Sequence, residues 1–305
     1  MAVARVQGAR ARLRPPAVAA AAGRLFGSVP PPAMVLAGVV SVQVGAAFAK
    51  QLFQVAGPAG IVALRLVFAA LAGLALWFPR RRVDGRTLVL ILCFGTVLAA
   101  MNFSIYQAFS RIPLGMAVTI EFLGPFAVSV AGSRRFLDLL WTVLAFGGVV
   151  LLTRGDIGGD VDLTGVLFAL VAAFCWAAYI LLSAAVGRRT TGGGGLSLAM
   201  VWGALLILPI GAVEAGPLLL EPWVLLGGLG VALLSSVIPY SLELEALRRM
   251  PPRVFGVLMS LEPAVAALAG LVVLGEYLGF LQWLAICCVV LASIGATYTA
   301  RRRWS

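Results

Sequence analysis

Long apolar stretches separated by short polar or glycine-rich breaks recur along nearly the whole chain, at about 33–52, 59–78, 88–109, 114–132, 138–153, 163–183, 196–213, 223–246, 254–273 and 278–299. A membrane-crossing helix needs roughly 20 apolar residues, so the pattern predicts an all-α polytopic membrane protein with ten transmembrane helices. Ahead of the first stretch, residues 1–32 hold Arg5, Arg10, Arg12, Arg14 and Arg24, no acid, and a Pro30-Pro31-Pro32 stop. The Ala-rich run between these arginines is too interrupted for a signal-peptide core. The segment reads as a disordered basic tail in the cytosol, with a second short basic tail at 300–305.

Composition closes off the soluble alternatives. Of 305 residues, 62% are apolar and 11% charged, against about 45–50% and about 25% in soluble domains. A two-domain soluble enzyme of this length is excluded. The net charge of +11 would suit nucleic acid only as one continuous patch, and it is scattered instead. With the amino terminus inside, the cytosolic segments collect 19 of the 23 basic residues: the tail arginines, Arg80 to Arg82, Arg86, Arg134, Arg135, Arg188, Arg189, Arg248, Arg249, Arg253 and Arg301 to Arg303. The outer ends keep Arg111 and Arg154 beside Asp156, Asp160, Asp162, Glu214, Glu221 and Glu276. This is the positive-inside pattern, with both termini cytosolic and no nucleic-acid partner.

Histidine is absent, which removes the commonest metal ligand and general base. Cys93, Cys175, Cys287 and Cys288 lie in apolar runs without a CxxC pair, so neither a disulfide framework nor a metal site is expected. Gly192 to Gly195 lacks the Lys-Ser/Thr of a phosphate-binding loop. No cofactor and no enzymatic activity are expected.

An internal repeat organises the stretches. Arg111-Ile112-Pro113 returns as Arg249-Met250-Pro251, Gly124-Pro125 as Glu262-Pro263, and Ala131-Gly132 as Ala269-Gly270, all at an offset of 138. Gly38-Val39-Val40 resembles Gly165-Val166-Leu167 at an offset of 127. Residues 33–153 and 163–299 therefore form two five-helix halves. An odd number of spans sets them in opposite orientations, the inverted-repeat design of secondary transporters, whose substrate site lies near the midplane.

Those halves, with Gly275-Glu276 near the start of the last span, resemble the EamA branch of the drug/metabolite transporter superfamily. Two longer stretches, Ile112 to Val118 leading into Glu121-Phe122-Leu123-Gly124-Pro125, and Ile238 to Glu243 leading into Leu258 to Ala264, are similar to members of that branch that export threonine and homoserine. The resemblance covers about residues 33–300. It implies a ten-helix exporter of small neutral amino acids in the inner membrane, driven by the proton gradient. A broader metabolite or drug exporter of the same superfamily is the second reading, and a passive channel the third. The oligomeric state, monomer or homodimer, stays open.

Charges within spans are costly and normally face the bundle interior. Arg65 and Glu121 lie at nearly equal depth in spans 2 and 4, placed either to pair or to hold the carboxylate and ammonium of an amino acid. Glu262, midway along span 9, aligns in the repeat with Gly124, one turn from Glu121. It has no arginine beside it and is the better proton carrier of the two acids, hence the candidate coupling residue. Pro125 and Pro263 each free a carbonyl one turn earlier and are candidate helix kinks. Asn102, Tyr106 and Tyr240 add candidate substrate contacts, with Gln43, Trp176 and Tyr179 as further polar or aromatic groups. Lys50, at the end of span 1, is expected to snorkel to the interface. Glu243 and Glu245, two apart and so on different faces, stand beside Arg248 and Arg249, which at least one of them neutralises.

Overall fold

The structure, a computed structural model, describes residues 29–77, 83–131, 136–153, 162–190 and 193–299. The first 28 residues and the last six lie outside the described residues. So do Arg80 to Arg82, Arg134, Arg135, Arg154, Asp156 and Asp160. Every apolar stretch of the sequence is predominantly helical over its described residues, and these residues contain no strand.

In chain order the helices are α1 (Pro31–Leu76), α2 (Gly85–Phe109), α3 (Leu114–Glu121), α4 (Leu123–Val130), α5 (Phe136–Thr153), α6 (Leu163–Arg189) and α7 (Gly194–Ala215). After a 3-10 turn come α8 (Pro222–Ala232), a π turn (Leu233–Val237), α9 (Ile238–Arg249), α10 (Pro252–Met259), α11 (Glu262–Ala269), a second π turn (Gly270–Leu274) and α12 (Phe280–Thr299). Among the described residues, six helical segments are long and apolar enough to cross a membrane, and Leu114–Val130, Leu140–Leu152 and Phe280–Ala296 are shorter apolar helices. The bundle's outer surface is apolar as well: Phe174 is 75%, Val213 87% and Tyr277 81% exposed. Water would penalise such a surface and lipid does not, so this is a multi-pass membrane protein.

Polar residues fix where the helices begin. Asp84 accepts from the Thr87 N–H at the start of α2, and Asp162 accepts from the N–H groups of Thr164 and Gly165 at the start of α6. Each satisfies donors that a first turn leaves unpaired. The bonds from Thr87 hold the Asp84 carboxyl below its ordinary range. Pro31, Pro222 and Pro252 open α1, α8 and α10, where a missing N–H costs nothing.

The first two apolar stretches differ from expectation in being joined without a loop. α1 continues to Ala56, turns at Gly57 (φ 66°, ψ 163°) and resumes at Pro58. Glu214 of α7 caps the resumed helix, its Oε2 accepting from Ala59 N at 2.5 Å and Gly60 N at 3.2 Å. That backbone conformation is essentially reserved for glycine, and a Cβ there would lie 2.5 Å from the Glu214 carboxyl carbon. Gly57→Ala is therefore expected to destabilise the protein by about 1–3 kcal/mol. Gly147→Ala, with open space around it, serves as the neutral control. Thermal unfolding of both variants in one detergent measures the difference, and equal melting temperatures would contradict it.

Two helices are interrupted in mid-course. α3 ends at Glu121, and α4 carries Pro125, which cannot donate to the Glu121 carbonyl. α10 ends at Met259 and α11 begins at Glu262, with Pro263 likewise unable to donate to the Met259 carbonyl. Glu121 and Met259 stand 138 residues apart, the offset of the sequence repeat. α3 and α11 meet backbone to backbone, since a Cβ on Gly115 would come within 2.6 Å of Ala267 Cα. This contact sets the helices that carry Glu121 and Glu262 side by side.

Candidate functional site

Arg65 is the centre of a polar cluster inside the bundle. Its Nη1 donates to the Tyr106 hydroxyl at 3.3 Å, Nη2 to the Ser235 carbonyl at 3.2 Å, and Nε to Ser236 Oγ at 3.4 Å. The guanidinium also lies 5.5 Å from the Tyr106 ring centroid, within cation–π range. Tyr106 is fully buried, its ring against Phe53 and Phe109. A guanidinium has five N–H donors. Three are engaged here, which fixes its plane and leaves two for a ligand.

The Ser235 carbonyl is available because of Pro239. In a regular helix it would accept from residue 239, which has no N–H. The chain responds with the π turn at Leu233–Val237, in which Ile238 N donates to Leu233 O. That shift also releases the Leu234 carbonyl, which takes the Ser41 hydroxyl at 2.7 Å. One proline thus supplies the carbonyl that orients Arg65 and another that ties the π turn to α1. Turns of this kind occur often at functional sites.

Arg65 and Glu121 are near enough for their charges to act on one another, yet no ion pair or hydrogen bond joins them among the described residues. Arg65 is turned toward α2 and the π turn, while Glu121 ends α3 at its break. On the other side of the cluster, Gln43 Nε2 donates to Glu262 Oε1 at 3.1 Å. Gln43 is 2% and Glu262 7% exposed. Glu262 Oε2 and Gln43 Oε1 are both buried without a hydrogen-bond partner. The charges of Glu121 and Glu243 reach Glu262.

Tyr240 also interacts electrostatically with Arg65, Glu121, Glu243 and Glu262. It is 38% exposed and lines a pocket with Gly73, Trp77, Met200, Ser236 and Ser241. Asn102 is buried and donates to Leu98 O, one turn back in its own helix, at 2.8 Å. No hydrogen bond connects it to Arg65. Pro125 and Pro263 follow the two helix interruptions. Among the described residues no group of Cys, Asp and Glu could hold a metal ion.

Glu243, expected only to stand near Arg248 and Arg249, is a member of the cluster. Glu245 pairs with Arg248 at 3.2 Å and with Arg249, which accounts for the local neutralisation. Glu243 faces the other way, over Gly38, where its charge reaches Tyr179, Tyr240 and Glu262. Its spacing was a usable signal, because residue 243 is three from Tyr240 and shares its face. Ser235 and Ser236 carried no signal beyond their position ahead of Pro239.

Lys50 has a partner that its place in the sequence did not reveal. Its Nζ lies 2.6 Å from Glu276 Oε1 and donates to Ile112 O at 2.9 Å. Glu276 Oε2 accepts from Leu114 N, the first residue of α3, at 2.7 Å. A carboxylate in a weakly polarisable setting is a strong partner for an ammonium. The result is a clamp joining the early part of the chain to the segment before α12.

Residues 163–298 match the model of the EamA-like transporter family. The "Threonine/homoserine exporter RhtA" of Salmonella typhimurium (strain LT2) is 43% identical over 271 residues, covering 88% of this chain and 92% of the relative. Its namesake from Escherichia coli (strain K12) is 42% identical over 274 residues, covering 89% and 92%. The "Uncharacterized transporter YwfM" of Bacillus subtilis (strain 168) is 28% identical over 162 residues, covering 53% and 55%. A solved chain, titled only as the crystal structure of a protein, superposes with a TM-score of 0.57 at 20% identity, covering 90% of this chain and 99% of that one. It speaks to the fold alone.

Proposed function

The chain belongs to the EamA-like transporter family, and from that premise we propose that it is a secondary active exporter of small neutral amino acids, threonine and homoserine among them, across the cytoplasmic membrane. The observation that carries the substrate class is the 43% identity to threonine/homoserine exporters over 92% of their length. Arg65 supplies the physical reason for the site's location: a cation held in a fixed plane, with two unspent N–H groups, matches a carboxylate. Glu121, whose charge acts on Arg65 and which makes no ion pair among the described residues, would receive the ammonium. The substrate's own opposite charges would join the two, with Tyr106 hydrogen-bonded to Arg65 and Tyr240 within electrostatic reach of both.

The ten apolar stretches are read as ten spans, in two inverted halves at about 33–153 and 163–299, with both termini in the cytosol. In this orientation the Lys50–Glu276 clamp closes the outer end, and the pocket lined by Tyr240 and Trp77 leads toward the inner one. The interruptions after Glu121 and Met259 are the hinges on which access alternates. Glu262 carries the coupling proton.

The reading is tested by counterflow of labelled threonine in proteoliposomes against a panel of unlabelled amino acids and nucleosides, with and without a pH gradient. Threonine and homoserine should exchange, nucleosides should not, and the gradient should drive net accumulation. If no amino acid exchanges, the reading is wrong.

A further inference from the structure

Gln43 and Glu262 present four polar atoms to one another, of which only two are satisfied. Gln43 Nε2 donates to Glu262 Oε1, while Gln43 Oε1 and Glu262 Oε2 are both buried and without a donor. Two acceptor oxygens left over in one buried amide–carboxyl contact call for a single missing hydrogen. A carboxylic acid supplies it: a proton on Glu262 Oε2 donates to Gln43 Oε1, closing a ring of two hydrogen bonds. An ionised Glu262 would leave both oxygens unsatisfied, and a buried polar atom without a partner costs about 1–3 kcal/mol.

The surroundings favour the same state. The charged and titratable groups that reach Glu262 are Glu121 at the end of α3 and Glu243 and Tyr240 on α9. None of them is a cation. Arg65 is directed to Tyr106, Ser235 and Ser236. A negative charge on Glu262 would stand unpaired beside two further carboxylates.

We propose that Gln43 and Glu262 form an acid–amide pair that holds the transported proton and couples its release to the separation of α1 from α11. The proposal rests on the proton-coupled reading above and adds the positioning residue and the mechanical consequence. With the proton present, the ring locks Gln43 of α1 onto Glu262 of α11, two helices that pack together. When the proton passes to water in the opened cavity, two acceptor oxygens face each other. With only the Gln43 Nε2–Glu262 Oε1 hydrogen bond left and two oxygens opposed, water enters the contact and α11 is released from α1.

Infrared difference spectroscopy of the full-length protein in proteoliposomes reads this directly. At neutral pH the wild type should show the carbonyl stretch of a protonated carboxylic acid, and Glu262→Gln should remove the Glu262 component of that band while keeping the ring geometry as an amide–amide pair. Gln43→Leu should retain the band but move it to higher frequency, because the acid carbonyl loses the Nε2 donor. In transport, Glu262→Gln, fixed as an amide–amide pair that no proton release can open, should lose both threonine counterflow and accumulation driven by the pH gradient. A neutral-pH spectrum that Glu262→Gln leaves unchanged overturns the proposal, as does full gradient-driven accumulation by that variant. Failure of the export reading is distinguishable: the wild type would then show no amino-acid exchange, whatever its infrared band.

Discussion

Arg65→Lys is expected to lower threonine exchange at sub-saturating substrate by about a hundredfold, with folded yield close to that of the wild type. Hydrogen bonds to charged groups contribute about 1.5–3 kcal/mol each. The substitution removes the flat two-pronged donor pair that suits a carboxylate, so a loss of about 3 kcal/mol is expected, and about 1.4 kcal/mol corresponds to a factor of ten. Lysine keeps the charge. It cannot reach Tyr106 Oη, Ser235 O and Ser236 Oγ together and still offer two donors to a ligand. The effect should fall mainly on the half-saturation concentration, since the contact is made in the bound state. Tyr106→Phe, which removes one of the three anchors and leaves the ring beneath the guanidinium, should cost only several-fold. Initial rates over a threonine concentration series decide the matter. Wild-type affinity in Arg65→Lys would remove Arg65 from the substrate site.

The second large effect is on stability. Glu276→Ala takes away the ion-pair partner of Lys50 and the cap on Leu114 N in one step. Removing one member of a buried pair costs about 3–5 kcal/mol because the other charge is left stranded. The Lys50 and Glu276 side chains retain 21% and 17% of their exposure, so the lower end, about 3 kcal/mol, is expected. Lys50→Met combined with Glu276→Gln should lose less than the two single changes added together, because the double variant strands no charge and keeps an acceptor for Leu114 N. A coupling of about 1–2 kcal/mol is expected for groups in contact. Thermal unfolding of the wild type, both single variants and the double variant gives the cycle. Simple additivity would mean that the 2.6 Å contact contributes nothing of its own.

The clamp bears on transport as well. In the proposed orientation it lies at the outer end and ties the α2–α3 turn and the start of α3 to the segment before α12. α3 carries Glu121 at its far end. Opening the outer side therefore requires breaking the Lys50–Glu276 pair or moving it as a unit, which links the energetics of that pair to the rate of the conformational step.

Particular residues show how far the chain could be read before its packing was known. The depth of Arg65 and Glu121 follows from counting along apolar stretches, and it located both within the polar cluster. Their relation did not follow, because Pro239 frees a carbonyl on another helix and that carbonyl takes a share of Arg65. The i,i+2 spacing of Glu243 and Glu245 required different faces. Only the rotation of α9 decided that Glu245 meets Arg248 and Arg249 while Glu243 turns inward. Gln43 read as one of several polar groups in a span, and its partner sits 219 residues away. The pairing of Lys50 with Glu276 needs a chain reversal that no local pattern encodes.

The sequence by itself determined that this protein lives in a bilayer as a bundle of apolar helices, and it displayed a repeat at an offset of 138. These properties depend on run length, turn residues and the cost of burying charge, all of which are local. The tertiary structure decided which polar atoms meet: Arg65 with Tyr106 and the π turn, Gln43 with Glu262, and Lys50 with Glu276. In lipid an apolar helix gains little from one rotation about its axis over another until neighbouring backbones fit against it. Side-chain partnerships inside such a bundle are therefore set by close contacts such as Gly115 on Ala267, after the helices themselves have formed.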